Sequence, residues 1–288
     1  MKLVRFSFER DVYWGLYNSE TQMIHTSLPE ARGLHSFEAV SEVCKCLELG
    51  LGDIQVIPKS DVCLLSPVLP TKNILCIGKN YYDHILEFDG TDQDVENIKE
   101  RPIFFSKALS SITGPDAPIL LHEEVTEEVD YEAELAVVIG KRGINISKDE
   151  ALEHVFGYTI LNDVTARDLQ KDHQQWLRGK SLDSHCPIGP WIVTRDEVPD
   201  PQNLSIQSRV NGELRQDSNT RHMIHTVVAL IETLSKGMTL EVGDVIASGT
   251  PKGVGMGFDP PKFLRDGDRV ELTIENIGTL VNTAKTTK

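Results

Sequence analysis

Residues 129–141 read VDYEAELAVVIGK: three acids within five positions, running straight into a continuous apolar segment. Side chains of a strand alternate between its faces, so Asp130, Glu132 and Glu134 share one face and Tyr131, Ala133, Leu135, Val137 and Ile139 the other. The second set belongs against a core. Same-face neighbours lie about 6.6 Å apart, close enough for like charges to raise one another's pKa and destabilise the strand unless positive charge sits among them. A hard divalent cation (Mg²⁺, Mn²⁺ or, third, Ca²⁺) answers that need, because such ions take oxygen ligands and no His or Cys lies nearby to favour zinc. An acidic edge on a solvated strand fits the same letters, so other residues must decide.

The bulk composition narrows the function classes. The 288 residues carry 29 Lys and Arg against 44 Asp and Glu, a net charge of −15, which leaves no electrostatic footprint for nucleic acid or an anionic membrane. An anionic substrate must therefore be drawn in by a local cluster of positive charge. No apolar run approaches the roughly 18 residues of a membrane span. The N-terminus, MKLVRFSFERDVYWGLYNSE, alternates apolar and polar residues as a mature strand does, unlike a signal peptide. Five cysteines without a C-x-x-C pair fit free thiols in a reducing compartment. The expected location is the cytoplasm, or the mitochondrial matrix if a presequence has been trimmed.

Along the chain, short strands occupy residues 1 to about 28, and HSFEAVSEVCKCLELG (35–50) reads as an amphipathic helix stopping at Gly50. The connector LLSPVLPTKN (64–73) then separates a small N-terminal α+β domain, 1–69, from a second domain, 70–288. In the latter, NILCIG is a strand and NYYDHILEF starts a helix that Asn80 can cap. The charged stretch DGTDQDVENIKE (89–100) reads as a mobile surface loop, having few apolar anchors. FGYTILND is a strand, VTARDLQKDHQQWL a helix, and WIVTR, LSIQSRVNGEL, DVIASG and DRVELTIENIGTLVN supply further strands, several joined at turn pairs such as Asn211-Gly212 and Asp266-Gly267. RHMIHTVVALIETLSKG is a helix ending at Gly237. The class is a strand-rich α+β fold; without regular βαβ alternation it is not a doubly wound sheet.

Several residues can do chemistry. Asp163, where a strand passes into a helix, either caps that helix or completes a three-carboxylate set with Glu132 and Glu134 that leaves room for water and a chelating substrate. His84 and Glu87 are one helical turn apart; a carboxylate on one imidazole nitrogen raises the basicity of the other, as a general base requires, although such pairs are also common on helix surfaces. Lys107, Arg167 and Lys180 are either snorkelling surface cations or a cluster that holds a carboxylate and stabilises oxyanion charge. SGTPKGVG (248–255) matches neither phosphate-loop pattern. It is either a plain turn or a tight loop presenting Thr250 and backbone amides to a small carboxylate.

Six segments, GKNYYDH, DYEAELAVVIGK, GYTILNDVTARDLQ, GKSLDSHCPIGP, RVNGELRQ and GDVIASGTPKGVG, together resemble the fumarylacetoacetate hydrolase family in order and spacing from about Asn73 to Asn282. The resemblance implies a mixed β-roll catalytic domain, usually in a homodimer, that binds Mg²⁺ or Mn²⁺. It points to Glu132, Glu134 and Asp163 as metal ligands, to His84 and Glu87 as a catalytic dyad on a closing lid with Lys180 beside it, and to Lys107, Arg167, Gln170 and Thr250 as substrate contacts. The implied substrate is a small 2-oxo or β-diketo acid of the acylpyruvate, fumarylacetoacetate or oxaloacetate type, with C–C bond hydrolysis as the first expectation. Oxaloacetate decarboxylation, keto-enol tautomerisation and dienoate isomerisation are the alternatives on the same enolate. The non-enzymatic alternative is a metal-binding scaffold that has kept the fold.

Overall fold

The alternation in residues 131–139 is realised: Tyr131, Ala133, Leu135, Val137 and Ile139 all enter one hydrophobic core. The computed structural model describes residues 1–27, 30–34, 37–68, 70–87 and 91–287. Outside the described residues fall His35 and Ser36 of the expected first helix, Leu69 at the expected domain boundary, Asp89 and Gly90 of the expected loop, and Lys288.

The core lies between two sheets. In the larger, Ala133–Ile139 pairs antiparallel with Val155–Asn162 on one side and Val245–Ala247 on the other. Beyond Val245–Ala247 come Ile74–Gly78 in parallel and Ile103–Lys107 antiparallel to it. On the opposite flank Val155–Asn162 pairs with Cys186–Thr194, and Lys2–Phe8, Asp11–Asn18 and Met23–Thr26 continue the same sheet. The second sheet, Glu213–Asn219, Ser205–Val210, Arg269–Ile274, Gly278–Lys285 and Pro118–Leu120 in that order, faces it. Ile206, Leu272, Ile274 and Leu280 pack from this sheet against Leu135 and Val137.

The far face of the larger sheet is covered as well. Helix α1 (Phe37–Glu48) sets Phe37, Val40 and Cys44, with Leu3 and Trp14, against Ala136, Val138, Leu161 and Ala247. Every residue of Ala133–Ile139 is consequently buried, as in a strand sandwiched on both sides.

Four local readings need correction. The strand does not open at Asp130: Val129 and Asp130 pair with Ala166 and Thr165 in a separate two-stranded ladder, and the main strand starts at Ala133. Asn80 does not cap α2 (Tyr82–Leu86), because it is fully buried and cross-links the fold, donating to the His225 and Ser248 carbonyls and accepting from His225 N–H. Residues 92–100 of the expected loop form helix α3 (Asp92–Glu100), started by a reciprocal Thr91–Asp94 capping box and anchored by Val95 and Ile98 against Ile85. The helix expected over 164–177 is two short ones, α4 (Arg167–Asp172) and α5 (Leu177–Lys180), since residues 171–175 are all exposed and offer no apolar contact. Helix α6 (Val227–Ser235), capped by Thr226, closes the core with Leu230 and Ile231.

Replacing Leu135, fully buried between the sheets, by Ala is expected to cost about 2–5 kcal/mol. The same change at Leu49, 72% exposed, should stay within about 0.5 kcal/mol. Urea denaturation of both variants checks this; equal losses would contradict the placement of the core.

Candidate active site

The break at Tyr131–Glu132 is what builds the site. Glu132 has left the ladder: its N–H donates to the Asn162 side chain at 3.0 Å, and its carbonyl accepts from Asp163 N–H at 3.0 Å. Glu134 follows on the regular strand, and Asp163 comes from the end of the neighbouring one. One carboxylate oxygen from each of Glu132, Glu134 and Asp163 lies within 4.8 Å of the others.

Buried cations are interleaved with these acids. Lys180 Nζ stands 2.9 Å from Glu132 Oε2 and 2.7 Å from Asp163 Oδ2. Lys107 Nζ lies 2.7 Å from Asp163 Oδ1, and Arg167 Nη2 2.7 Å from Glu132 Oε1, both as buried ion pairs. Arg167 Nε donates to Asp130 Oδ2 at 2.9 Å. None of these seven residues is more than 4% exposed. Four carboxylates thus share three cations, and Glu134 is the acid without a cationic partner among the described residues, its Oε2 accepting from Gly249 N–H at 2.8 Å.

The electrostatics follow this distribution. Burial drives the Glu132 carboxyl upward, but Lys180, Arg167 and His84 outweigh it and hold the group at about 2. Burial, reinforced by Asp163 and Glu132, pushes Glu134 well above the carboxylate range. Burial alone would depress the Lys180 ammonium; Asp163 and Glu132 more than offset it, so its pKa is raised and it stays charged. A donor set of three carboxylates, with no His or Cys and with one negative charge uncompensated once Glu134 is ionised, fits a hard divalent cation.

Glu132, Glu134, Arg167, Gln170, Lys180, Thr250 and His84 line one cavity of about 360 Å³. The roomier cleft beside Lys2 and Tyr17, about 490 Å³, includes none of these groups. His84 Nδ1 lies 3.0 Å from Oε2 of Glu87, the residue that ends α2 one turn later, and Glu87 Oε1 accepts from Gly253 N–H at 2.8 Å. Gln170 Oε1 accepts from Arg167 Nη1 at 3.1 Å. Lys107 is fully buried behind the triad, contacting Asp163 and the Val164 carbonyl, and does not line the cavity.

Asp130 stands apart from the triad despite sharing its parity in sequence. Oδ1 accepts from Tyr131 and Gly255 N–H, and Oδ2 from Met256 N–H and Arg167 Nε. It therefore ties Arg167 to the loop whose Gly253 seats Glu87. Sequence reasoning also missed Gln216, fully buried, which accepts from Ala133 N–H and donates to Thr250 Oγ1 and the Pro251 carbonyl. Its only signal was an amide at an inward-facing position of a strand.

Comparison with known proteins gives the family. Residues 73–285 match the C-terminal domain model of fumarylacetoacetate (FAA) hydrolase. The oxaloacetate tautomerase YisK of Bacillus subtilis (strain 168) is 56% identical over 224 residues, 77% of this chain and 73% of that protein. A fumarylacetoacetate hydrolase from psychrophilic Exiguobacterium antarcticum is 43% identical, with a TM-score of 0.86 over 99% of both chains. A 2-hydroxyhepta-2,4-diene-1,7-dioate isomerase from Mycobacterium marinum is 34% identical, with a TM-score of 0.77 over 100% of this chain and 99% of its own. The chain belongs to the fumarylacetoacetate hydrolase family, with the strand-rich α+β fold of that family. Among the described residues no helix is long and apolar enough to cross a membrane.

In Asp130→Asn, one amide NH₂ must face two of the four donors now bonded to the carboxylate. The expected result is a loss of roughly 2–4 kcal/mol and faster hydrogen exchange at Gly255 and Met256. Unchanged exchange at those amides would show that Asp130 does not hold the loop.

Proposed function

We propose that this protein is an oxaloacetate keto-enol tautomerase, acting on a small 2-oxo diacid in the cavity between the acidic triad and the His84–Glu87 pair. The observation carrying this reading is the 56% identity to a protein named for that activity, over a stretch that includes a buried triad, a lysine bridging two of its acids and an imidazole–carboxylate pair, with Glu132, Glu134, Lys180 and His84 lining one cavity.

Charge supports the substrate class. With all four acids ionised the buried set has one net negative charge; a divalent ion, displacing the proton that Glu134 otherwise keeps, would make it positive by one, and an anionic substrate would then be attracted. Glu132, Glu134 and Asp163 would hold Mg²⁺ or Mn²⁺, with Ca²⁺ as a third candidate, and the ion would supply Lewis acidity toward the substrate's oxygens. Lys180 presents a fixed positive charge toward the 2-oxo oxygen. Arg167 and Gln170, already oriented by each other, would receive a carboxylate. Thr250 accepts from Gln216, so its hydroxyl proton is available to donate to the same anion.

Tautomerisation moves one proton and breaks no carbon–carbon bond. Going from keto to enol, a base removes a proton from C3, the C2–C3 bond becomes double, and the former carbonyl oxygen gains a proton. Glu87 engages Nδ1 of His84, and His84 Nε2 would take the C3 proton and deliver it to the former carbonyl oxygen, both transfers reversing from enol to keto. Lys180 steadies the negative charge that collects on the oxygen meanwhile.

C–C bond hydrolysis is the second reading, favoured by the same 3.0 Å dyad, since a carboxylate-backed imidazole also activates water. The two differ in products. With Mg²⁺ or Mn²⁺ present, enol-oxaloacetate should convert to the keto form with all four carbons retained, while acetylpyruvate and fumarylpyruvate remain uncleaved, as resolved by NMR. Glu132→Ala should remove both Mn²⁺ binding and the rate above background, and His84→Ala the rate alone. Release of pyruvate from an acylpyruvate would install hydrolysis instead; loss of CO₂ from oxaloacetate would install decarboxylation. No turnover of any acid would leave the scaffold reading.

A further inference from the structure

One wall of the cavity is aromatic, and none of the proton-transfer chemistry uses it. From the last turn of α4 the chain runs through residues 171–175 with every one of them exposed, and Trp176 is the first to turn inward. Its indole lies flush on the backbone of Gly78, so close that a Cβ there would collide with Cζ3 and Cη2. Phe105 meets the indole edge-on, with centroids 5.3 Å apart at 64°. Phe105 in turn carries Lys180 Nζ over its face at 5.0 Å. Gly78, Phe105 and Trp176 all line the cavity that Glu132, Glu134 and Lys180 line.

The register of α5 fixes where this wall stands. Lys180 follows Trp176 by four residues, and its N–H donates to the Trp176 carbonyl at 3.0 Å. Side chains four apart on a helix share a face, with Cβ atoms about 5–6 Å apart. The ammonium that closes on Glu132 and Asp163 and the indole that bounds the cavity are therefore successive features of one helical face.

We infer that Trp176 is a specificity-determining residue that sets the length of the 2-oxo acid, its indole stopping chains longer than a four-carbon diacid. The inference rests on the proposed reading of the site, in which the 2-oxo end is gathered at Lys180 and the triad. The distal end then meets the indole within one helical turn. A flat ring with two rotatable bonds forms such a wall at low entropic cost, and glycine at 78 is what gives it room. A longer chain must displace the ring from Gly78 and Phe105 or leave its own atoms in contact with nothing. Hydrophobic pockets discriminate by about 10- to 200-fold per methylene-sized difference.

Binding and turnover test this separately. Wild type, Trp176→Ala and the milder Trp176→Phe are titrated calorimetrically, with Mn²⁺ present, against oxaloacetate, 2-oxoglutarate and 2-oxoadipate; turnover of oxaloacetate is measured alongside. Wild type should lose affinity at least tenfold from the four- to the six-carbon acid. Trp176→Ala should flatten that dependence by tenfold or more with its Mn²⁺ affinity unchanged, and Trp176→Phe should fall between. Trp176→Phe also remains informative if Trp176→Ala fails to fold. The same length dependence in wild type and Trp176→Phe, both folded and binding Mn²⁺, would overturn the inference even if oxaloacetate is turned over. Length selection that disappears on substitution, without oxaloacetate turnover, would support the gate while refuting the tautomerase reading. Failure of wild type to bind any of the acids would overturn both.

Discussion

Lys180 poised between Glu132 and Asp163 is the contact on which the rest of the site depends. Three carboxylates drawn to within 4.8 Å of one another in a dry interior repel strongly, and charge in such a place is tolerated only when paired and hydrogen-bonded. The chain meets that demand for Glu132 with Lys180 and Arg167 and for Asp163 with Lys180 and Lys107. Glu134 has a backbone amide instead. With all four acids ionised the site is one positive charge short, and the shortage falls at the cluster of Glu132, Glu134 and Asp163. Asp130 keeps Arg167 from collapsing wholly onto Glu132 by engaging Nε, and by the same carboxylate it fixes the loop on which Glu87 leans. Cation side and dyad side are joined through one buried acid that belongs to neither.

What could be read in the letters were features local in sequence. The parity of residues 131–139, the one-turn spacing of His84 and Glu87, and the spacing of Glu132 and Glu134 are two- to four-residue relations, and each reappears in the structure. The break at Tyr131–Glu132 could not be read, because it comes from Asn162 and Asp163, thirty residues away, taking the hydrogen bonds of Glu132. Asp130 was assigned to the face of Glu132 and Glu134 on the assumption of an unbroken strand; four donors, two of them amides more than a hundred residues downstream, draw it elsewhere. Residues 92–100 looked too polar to fold, yet two apolar residues three apart and a capping box suffice once Ile85 is there to meet them. The place of Trp176 is illegible in the letters for a similar reason: it is set by Gly78, on a strand nearly a hundred residues earlier.

The N-terminal residues bear on the chemistry without touching it. Ala133–Ile139 carries Glu134 between two apolar faces, and the second is covered by Leu3, Trp14 and α1. With one face open to water, the strand would be half-solvated and charge would interact through a medium of much higher dielectric. Repulsion among the three acids, and the attraction of Lys180 and Arg167, would weaken together. The cover over Ala136 and Val138 helps keep this environment dry, so that burial is the first cause of the rise at Glu134 and the first obstacle overcome at Glu132. Lys2 and Leu3 pair directly with Val193 and Ile192, so this cover is continuous with the strand next to the one that ends at Asn162 and Asp163. An N-terminal segment contributing no group to the cavity can in this way set how strongly the cavity's charges are felt.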